Sequence, residues 1–225
     1  MLENLTQGMY EDSRIIYREY IQNAADSIDK AEALKAFPNE RLQILIGIEE
    51  RKRRITIEDN ANGIPASEVE RRLADVADSE KIAGSDKGFR GIGRLGGLAY
   101  CRELRFITSY AGESEQTTMI WDAARLEEIL NDRTNHDSAE KILDQIISYR
   151  HEPCDAASHF FRVELIDIKP SNDLLLNINK VREYISEVAP IDYDERFDTC
   201  APKIFGRTRH SSTRIRMRSK TFRPI

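Results

Sequence analysis

The sequence predicts an α+β fold: one mixed, mostly antiparallel sheet covered on one face by helices, which makes a two-layer α/β sandwich. Residues 10 to 30 show a long amphipathic helix pattern, in which the apolar side chains fall on one half of a helical wheel. Residues 41 to 48 and 54 to 58 then show two strand patterns with no helix between them, and residues 103 to 110 and 116 to 121 repeat this arrangement. Because these consecutive strands lack a connecting helix, the pattern favours an α+β sandwich over a doubly wound fold.

The second helix has a clear start signal. Pro65 precedes Ser67 and Glu70, which have the spacing of a capping box, and the helix should run to about residue 77. A polar, glycine-containing loop follows at residues 78 to 90. The remaining patterns predict helices at residues 91 to 101, 124 to 131, 138 to 149 and 174 to 188, and a strand at residues 159 to 168.

The composition is that of a protein with an ordinary core, with 40% hydrophobic and 32% charged residues. Neither a signal peptide nor a membrane-spanning run is recognisable, so we expect a cytoplasmic protein with no membrane partner. The three cysteines are widely spaced and predict no disulfide framework. A net charge of -5 argues against nucleic-acid binding by the whole chain, but residues 203 to 225 carry eight Lys or Arg and no Asp or Glu. Nucleic acid is therefore a possible partner only of this basic C-terminal segment.

Three polar residues stand out on the first helix. Glu19, Asn23 and Asp26 have the spacing i, i+4, i+7, which places them on one stripe off the apolar face. A glutamate there could take a proton from an attacking water, and an asparagine one turn later offers an oxygen to Mg²⁺. The same stripe is also typical of the solvated face of any amphipathic helix, and taken alone that interpretation is favoured.

The end of the second strand carries another candidate. The β-branched segment 54 to 58 runs into Asp59, and Gly63 and Ile64 follow in a turn. A carboxylate at a buried strand end can accept a hydrogen bond from an exocyclic amine such as that of adenine, and a glycine lets a flat base approach the backbone. The alternative is an ordinary strand-to-helix turn, in which Asp, Asn and Gly are the commonest residues.

A glycine-rich segment follows the polar loop. Its backbone can close around phosphates with free N–H groups, and Lys87, Arg90 and Arg94 add positive charge. One alternative is a flexible loop before a tightly packed helix. Another is a dinucleotide-binding motif, which must follow a strand directly, whereas here the polar segment 83 to 90 precedes it. The five glycines are Gly88, Gly91, Gly93, Gly96 and Gly97.

Taken in series, the three segments resemble the GHKL superfamily, which includes type II topoisomerases, heat shock protein 90 chaperones, histidine kinases and MutL. Residues 18 to 29 are similar to the asparagine-box helix of the chaperones, residues 59 to 65 to the Asp-x-Gly-x-Gly box, and residues 88 to 93 to the Gly-x-x-Gly-x-Gly box. The resemblance covers roughly residues 10 to 110. It implies the Bergerat fold, with ATP and Mg²⁺ as cofactors.

The resemblance also implies a role for each matching residue. Glu19 would be the catalytic general base, Asn23 the Mg²⁺ ligand, and Asp59 the group that holds the adenine amine. Residues 75 to 87 would form a lid over the nucleotide. The other implied nucleotide contacts are Asp26, Gly63, Ile64, Ser79, Lys81, Lys87, Gly88, Phe89, Arg90, Gly91, Ile92 and Gly93.

Two residues depart from the family pattern on the adenine side. Ala61 stands where the family usually has the first glycine of its box, and it adds a methyl group near the base. Phe161 stands where the family strand that often begins Gly-Thr has its threonine. The adenine side is therefore expected to be the weaker end of the pocket.

The domain organisation follows from the same resemblance. Residues 1 to 200 are expected to form the ATP-binding domain and residues 201 to 225 a basic tail, one interpretation of which is the start of a following transducer or middle domain. Residues 213 to 217 are either the first strand of that domain or part of a disordered tail. Only 18 residues precede Glu19, too few for the dimerisation hairpin of a histidine kinase.

The expected function is Mg-dependent ATP binding with slow hydrolysis in a chaperone-like or MutL/MORC-like machine. The resemblance implies that ATP closes the lid and favours a homodimer of the full-length protein, with ATP and ADP as the ligands. The alternatives are an ATP-sensing module without significant turnover, a histidine-kinase-type catalytic domain, and a dinucleotide-binding domain.

Overall fold

The computed structural model describes residues 12–73, 93–132 and 134–188, together with the backbone of residues 213–218. Within these ranges, helices lie against one sheet. The α-helices are α1 Ile15–Ala33, α2 Val69–Leu73, α3 Ala123–Asn131, α4 Ala139–Ile146 and α5 Ile178–Val188, and 3₁₀ helices occupy Glu50–Lys52, Ala66–Glu68, Gly93–Ala99 and Pro170–Leu176. The strands are β1 Gln43–Glu49, β2 Arg54–Asp59, β3 Cys101–Ser109, β4 Glu115–Asp122, β5 Ile147–Pro153, β6 Phe160–Ile168 and β7 Thr213–Arg218.

The described strands form one seven-stranded sheet in the order β5-β4-β3-β6-β2-β1-β7. All of its strand pairs are antiparallel. This confirms the predicted α+β sandwich with a mostly antiparallel sheet, and the described part of the sheet has no parallel pair. Residues 213 to 217 are expected from the sequence to be either the first strand of a following domain or part of a disordered tail. They lie in β7, which pairs with β1 in this same sheet, with Ile215 opposite Ile46. The assignment of residues 201 to 225 to a following domain stays a prediction.

The core lies between the sheet and the helices because alternate strand residues point to the same face. In β1, Ile44, Ile46 and Ile48 are buried while their neighbours are partly exposed. In β2, Ile55 and Ile57 continue the same pattern. The predicted apolar stripe of the first helix is confirmed, since α1 buries Ile16, Tyr17, Tyr20, Ile21, Ala24, Ala25 and Ile28.

The predicted boundaries of the second and third helices are wrong. Ser67 does not cap the second helix, because it lies inside the 3₁₀ helix Ala66–Glu68 that runs directly into α2. The free N–H of Ala66 instead donates to the Glu113 carboxylate at 3.0 Å. The helix predicted at residues 91 to 101 is a 3₁₀ helix where it is described, and Cys101 already belongs to β3.

The sequence also misses strand β5. The helix predicted at residues 138 to 149 ends at Ile146, and the chain continues as β5 in antiparallel pairing with β4. This edge strand is exposed over nearly its whole length, so it lacks the apolar alternation that marks a half-buried strand. None of the helices in the described ranges combines the length and apolar character that a bilayer crossing needs.

Candidate active site

A cleft opens between α1 and the centre of the sheet, and it has a narrow inner part and a wide outer part. Asn23, Asp59 and Phe161 line both parts. The inner part is otherwise mainly apolar, with Ile57 and Val163 among its walls. The outer part has a volume of about 620 Å³ and carries polar side chains from α1 and from the turn after β2. The cleft therefore combines an apolar base with a polar mouth, a combination typical of small-molecule sites.

Asp59 is placed by the alternation of β2. It follows Ile55 and Ile57 in the same phase, so the strand points a carboxylate to the helix-covered face, where it is only 2% exposed. Burial raises the pKa of Asp59 to about 7. Hydrogen bonding from the Ala61 N–H and from the Ser27 hydroxyl acts in the opposite direction and lowers the pKa. The Ala61 N–H lies 3.1 Å from the carboxylate oxygen.

The turn after Asp59 is held by backbone packing against β3 and β6. Gly63 has a φ of +68°, and a β-carbon there would overlap the Ser109 carbonyl oxygen and lie 2.9 Å from that of Phe160. Only glycine fits this conformation and this space. The Thr108 hydroxyl accepts a hydrogen bond from the Ile64 N–H at 2.8 Å and donates one to the Phe160 carbonyl at 3.0 Å. The turn is therefore anchored on both sides.

His159 is a site residue that the sequence does not reveal. It is buried immediately before β6, with Nδ1 at 2.9 Å from the Ala61 carbonyl oxygen and Nε2 at 3.0 Å from the Glu40 carboxylate. Its ring stacks on Phe37 with a centroid distance of 3.7 Å. A single histidine before a strand forms no motif with other residues, so its role cannot be predicted from the sequence. The same holds for Ser27 on α1.

Phe161 lies two residues after His159 and is the cross-strand partner of Asp59. Its ring packs on Phe106 with a centroid distance of 6.0 Å. On this side of the cleft, β6 therefore presents an apolar wall next to the buried carboxylate. The His159 imidazole, immediately before β6, is a polar group in contact with the turn after Asp59.

Glu19 meets the glycine-rich segment at the other end of the site. It is half-buried on α1, and a β-carbon at Gly93 would lie 2.7 Å from its carboxylate oxygen. The next residue, Tyr20, donates its hydroxyl to the Arg94 carbonyl at 2.9 Å and accepts from the Gly97 N–H at 3.1 Å. The first helix and the glycine-rich segment, about 70 residues apart in the chain, are thus in direct contact.

Asn23 and Asp26 are both exposed on α1, as their positions off the apolar stripe predict. Asn23 lies one turn after Glu19, and Asp26 faces the outer part of the cleft, where it accepts a hydrogen bond from Gln22 at 2.8 Å. Within the described ranges, no three His, Cys, Asp or Glu residues are grouped as a metal site. The site residues predicted at Ser79, Lys81, Lys87, Gly88, Phe89, Arg90, Gly91 and Ile92, and the lid at 75 to 87, lie outside the described residues.

Comparison with known proteins identifies related sequences over the part of the chain that carries α1, β2 and the glycine-rich segment. The model of the family described as histidine kinase-, DNA gyrase B-, and HSP90-like ATPase matches residues 13–152, more than half of the chain. The chaperone protein HtpG of Streptomyces coelicolor is 27% identical over 138 residues, which cover 52% of this chain and 22% of that protein. HtpG of Escherichia coli K12 is 27% identical over 143 residues, which cover 55% of this chain and 23% of the relative.

HtpG of Shewanella pealeana is also similar, with 26% identity over 143 residues that cover 55% of this chain and 22% of that protein. The matched segment thus spans less than a quarter of the length of these relatives. The segment matched by the family model contains α1, the turn after Asp59 and the described end of the glycine-rich segment, whereas the cleft wall from β6, with Phe161 and Val163, lies outside it. In sequence and in architecture, the chain belongs to the family of histidine kinase-, DNA gyrase B-, and HSP90-like ATPases and is similar to part of the chaperone HtpG.

Proposed function

We propose that this chain binds Mg-ATP in the cleft between α1 and the sheet and hydrolyses it slowly. The observation that carries the proposal is the position of Asp59, a buried carboxylate at the base of the cleft. An ionised carboxylate accepts a hydrogen bond from an exocyclic amine such as that of adenine. The apolar wall formed by Ile57, Phe161 and Val163 suits a flat base beside it.

Hydrolysis is assigned to Glu19. Its carboxylate is half-buried and in contact with the glycine-rich segment, where the phosphates of a nucleotide are expected. A carboxylate in that position can orient a water and accept its proton as the water attacks the terminal phosphate. Gly88, Gly91 and Gly93 are proposed as phosphate-binding residues, with lid residues 75 to 87 covering the nucleotide.

The proposed Mg²⁺ ligand is Asn23. Its amide oxygen is a hard, neutral ligand of the kind that Mg²⁺ accepts, and its exposed side chain lines both parts of the cleft. The absence of a cluster of three ligand side chains in the described ranges fits an ion held mainly by nucleotide phosphates and water. When bound, Mg²⁺ would neutralise charge on the phosphates.

Two other functions use the same cleft. An ATP-sensing module would bind the nucleotide without significant turnover, and the contact between Glu19 and Gly93 favours turnover over this alternative. A dinucleotide-binding domain of the doubly wound type requires a mostly parallel sheet, whereas the described strand pairs are all antiparallel. We therefore place ATP hydrolysis first.

Phosphate release by wild type and by Glu19→Ala tests the enzymatic part. The matched control is Glu187→Ala, an exposed glutamate on α5 away from the cleft. We expect Glu19→Ala to lose at least about 100-fold in rate, the scale of general acid–base catalysis, while it keeps its ATP affinity. Equal rates for wild type and Glu19→Ala would leave an ATP-sensing module and exclude the proposed hydrolysis.

The wider proposal concerns a longer protein, since the matched segment spans less than a quarter of the HtpG relatives. We propose that ATP binding in such a protein drives a conformational change and homodimer formation, in a chaperone-like or MutL/MORC-like role. Residues 201 to 225 would lead into a following domain. Sedimentation velocity with ADP and with a non-hydrolysable ATP analogue tests this: dimer only with the analogue is the expected result, and no change in mass contradicts it.

A further inference from the structure

The loop between α1 and β1, residues 34–42, forms part of the mouth of the cleft. Leu34 and Ala36 of this loop line the outer part of the cleft, and Asn62 lines it from the turn after Asp59. Both segments are irregular backbone, so neither has a ladder of strand or helix hydrogen bonds to hold its position. Their separation therefore depends on individual contacts between them.

His159 contacts both segments. Its Nδ1 lies 2.9 Å from the Ala61 carbonyl oxygen in the turn, and its Nε2 lies 3.0 Å from the Glu40 carboxylate in the loop. The buried ring also stacks on Phe37 of the same loop, with a centroid distance of 3.7 Å and an interplanar angle of 3°. An imidazole donates from at least one nitrogen in either tautomer, so the ring always forms one of the two hydrogen bonds. We call His159, Glu40 and Phe37 the histidine clasp.

Ala61 connects the clasp to the base of the cleft. Its carbonyl oxygen faces His159, and its own N–H donates to the Asp59 carboxylate at 3.1 Å. The residue is fully buried, so water cannot replace either partner. A movement of Ala61 away from His159 therefore also disturbs the hydrogen bond that Asp59 accepts.

Asn60 ties the same turn to the other end of the loop. Its side-chain oxygen accepts from the Gln43 N–H at 2.7 Å, and its amide nitrogen donates to the Arg41 carbonyl at 3.0 Å. The clasp is attached earlier in the loop, closer in sequence to Ala36 at the mouth of the cleft. The turn and the loop are thus joined at two points, of which the clasp is the one nearer to the cleft wall.

We propose that His159 is a positioning residue whose clasp fixes the loop against the turn and so sets the affinity for the adenosine part of ATP, an inference that rests on the proposed function. His159 does not belong to the residues that line either described part of the cleft, so it acts through Ala61 and the loop. Glu19 is assigned to the phosphate end. The clasp therefore affects binding and leaves the chemical step unchanged.

The test is the steady-state rate of phosphate release, with KM and kcat measured for wild type, His159→Leu and His159→Asn. Leucine removes both ring nitrogens, whereas the asparagine amide offers an N–H close to the position of Nδ1. Because a lost hydrogen bond is involved, we expect KM for ATP to rise about three- to tenfold in His159→Leu with kcat unchanged, and His159→Asn to recover most of the loss. The control is His136→Leu, an exposed histidine between α3 and α4, which should change neither value.

A merely structural role predicts a different result. A destabilised variant contains fewer folded molecules, so kcat and the number of sites counted by calorimetry would fall while KM stayed the same. That outcome would overturn the inference, and so would a His159→Asn variant no better than His159→Leu. Where His159→Leu does not fold, Glu40→Ala at an exposed position decides the question: a higher KM with unchanged kcat supports the clasp, and an unchanged KM contradicts it.

The affinity for ADP shows which end of the nucleotide is affected. ADP shares the adenosine part of ATP and lacks only the terminal phosphate, so its affinity in His159→Leu should fall by the same factor as that of ATP. Calorimetry with both nucleotides measures the two factors. A loss confined to ATP would place the effect at the terminal phosphate and overturn the inference.

A ligand-free measurement separates this inference from the proposed function. The Ala61 N–H is bonded to Asp59 and the Ile64 N–H to the Thr108 hydroxyl, so their hydrogen exchange reports opening of the turn. In His159→Leu we expect both to exchange about three- to tenfold faster, relative to the Met119 amide in β4. Unchanged relative exchange overturns the positioning role even if ATP binds. Faster exchange at both amides, in a protein whose wild type shows no heat with ATP, supports the clasp and overturns the proposed function.

Discussion

Gly63→Ala is the substitution for which the structure gives the most definite expectation. The glycine has a φ of +68°, in the left-handed region, and the space for a β-carbon is already filled by the Ser109 and Phe160 carbonyl groups. Both obstructing atoms belong to the backbone of paired strands, so they cannot rotate away. The added methyl therefore forces the turn after Asp59 to move away from β3 and β6.

The cost has two parts. A left-handed conformation costs an alanine about 1–2 kcal/mol. Overpacking in a closed space costs about 1–3 kcal/mol more. Gly112→Ala is the matched control, because Gly112 also has a positive φ, +94°, but nothing lies within 4 Å of its added β-carbon. We therefore expect a loss of about 2–5 kcal/mol for Gly63→Ala and about 1–2 kcal/mol for Gly112→Ala.

Equilibrium unfolding in urea measures both losses, with the unfolding free energy taken from the midpoint and slope of each curve. The result that refutes the reasoning is an equal loss in the two variants, within about 0.5 kcal/mol. In that case the close backbone packing around Gly63 would contribute nothing to stability.

Three further predictions concern Asp59, Gly93 and Tyr20. Because burial raises the pKa of Asp59 to about 7, the folded protein holds this proton more tightly than the unfolded chain, and ionisation costs stability as the pH rises from about 4 to about 7. Asp59→Asn removes that cost. Its stability relative to wild type, measured by urea unfolding, should therefore be about 2–3 kcal/mol more favourable at pH 8 than at pH 5. An equal difference at both pH values contradicts this. Gly93→Ala pushes the Glu19 carboxylate aside. We therefore expect the rate of phosphate release to fall about tenfold or more and the ATP affinity to fall less. An unchanged rate argues against the assigned contact. Tyr20→Phe removes the hydroxyl that joins α1 to the 3₁₀ helix Gly93–Ala99, and it should lower the free energy of unfolding in urea by about 1–2 kcal/mol. The control is Tyr149→Phe at a partly exposed tyrosine, which should change that free energy by less than about 0.5 kcal/mol.

The elements that the sequence predicts well are those with a strong apolar period. The stripe from Ile16 to Ile28 marks α1, and the alternation in β1 and β2 marks two half-buried strands. The phase of β2 also places Asp59 on the buried face, so that part of the site is readable without a structure. In contrast, β5 is exposed at the sheet edge, and its residues do not alternate between apolar and polar as in a half-buried strand.

The parts of the site that depend on tertiary contacts do not follow from periodicity and spacing alone, and only the family resemblance groups Glu19 with the glycine-rich segment. The contact between Glu19 and Gly93 joins segments about 70 residues apart. His159 reaches the turn after Asp59 only because β6 pairs with β2 in a register that sets Phe161 opposite the aspartate. A lone histidine or serine gives no pattern from which such a position follows.

Calorimetric titration of ATP into wild type and Asp59→Asn tests the central claim most directly, with Asp29→Asn as the matched control on the exposed face of α1. ADP and NAD are titrated in parallel, so that a dinucleotide site is detected if one exists. We predict that wild type and Asp29→Asn bind ATP with similar affinity and that Asp59→Asn loses at least about tenfold, the effect of losing a hydrogen bond to a charged group. Equal ATP binding by wild type and Asp59→Asn, or strong NAD binding without any ATP heat, would contradict the proposed nucleotide site.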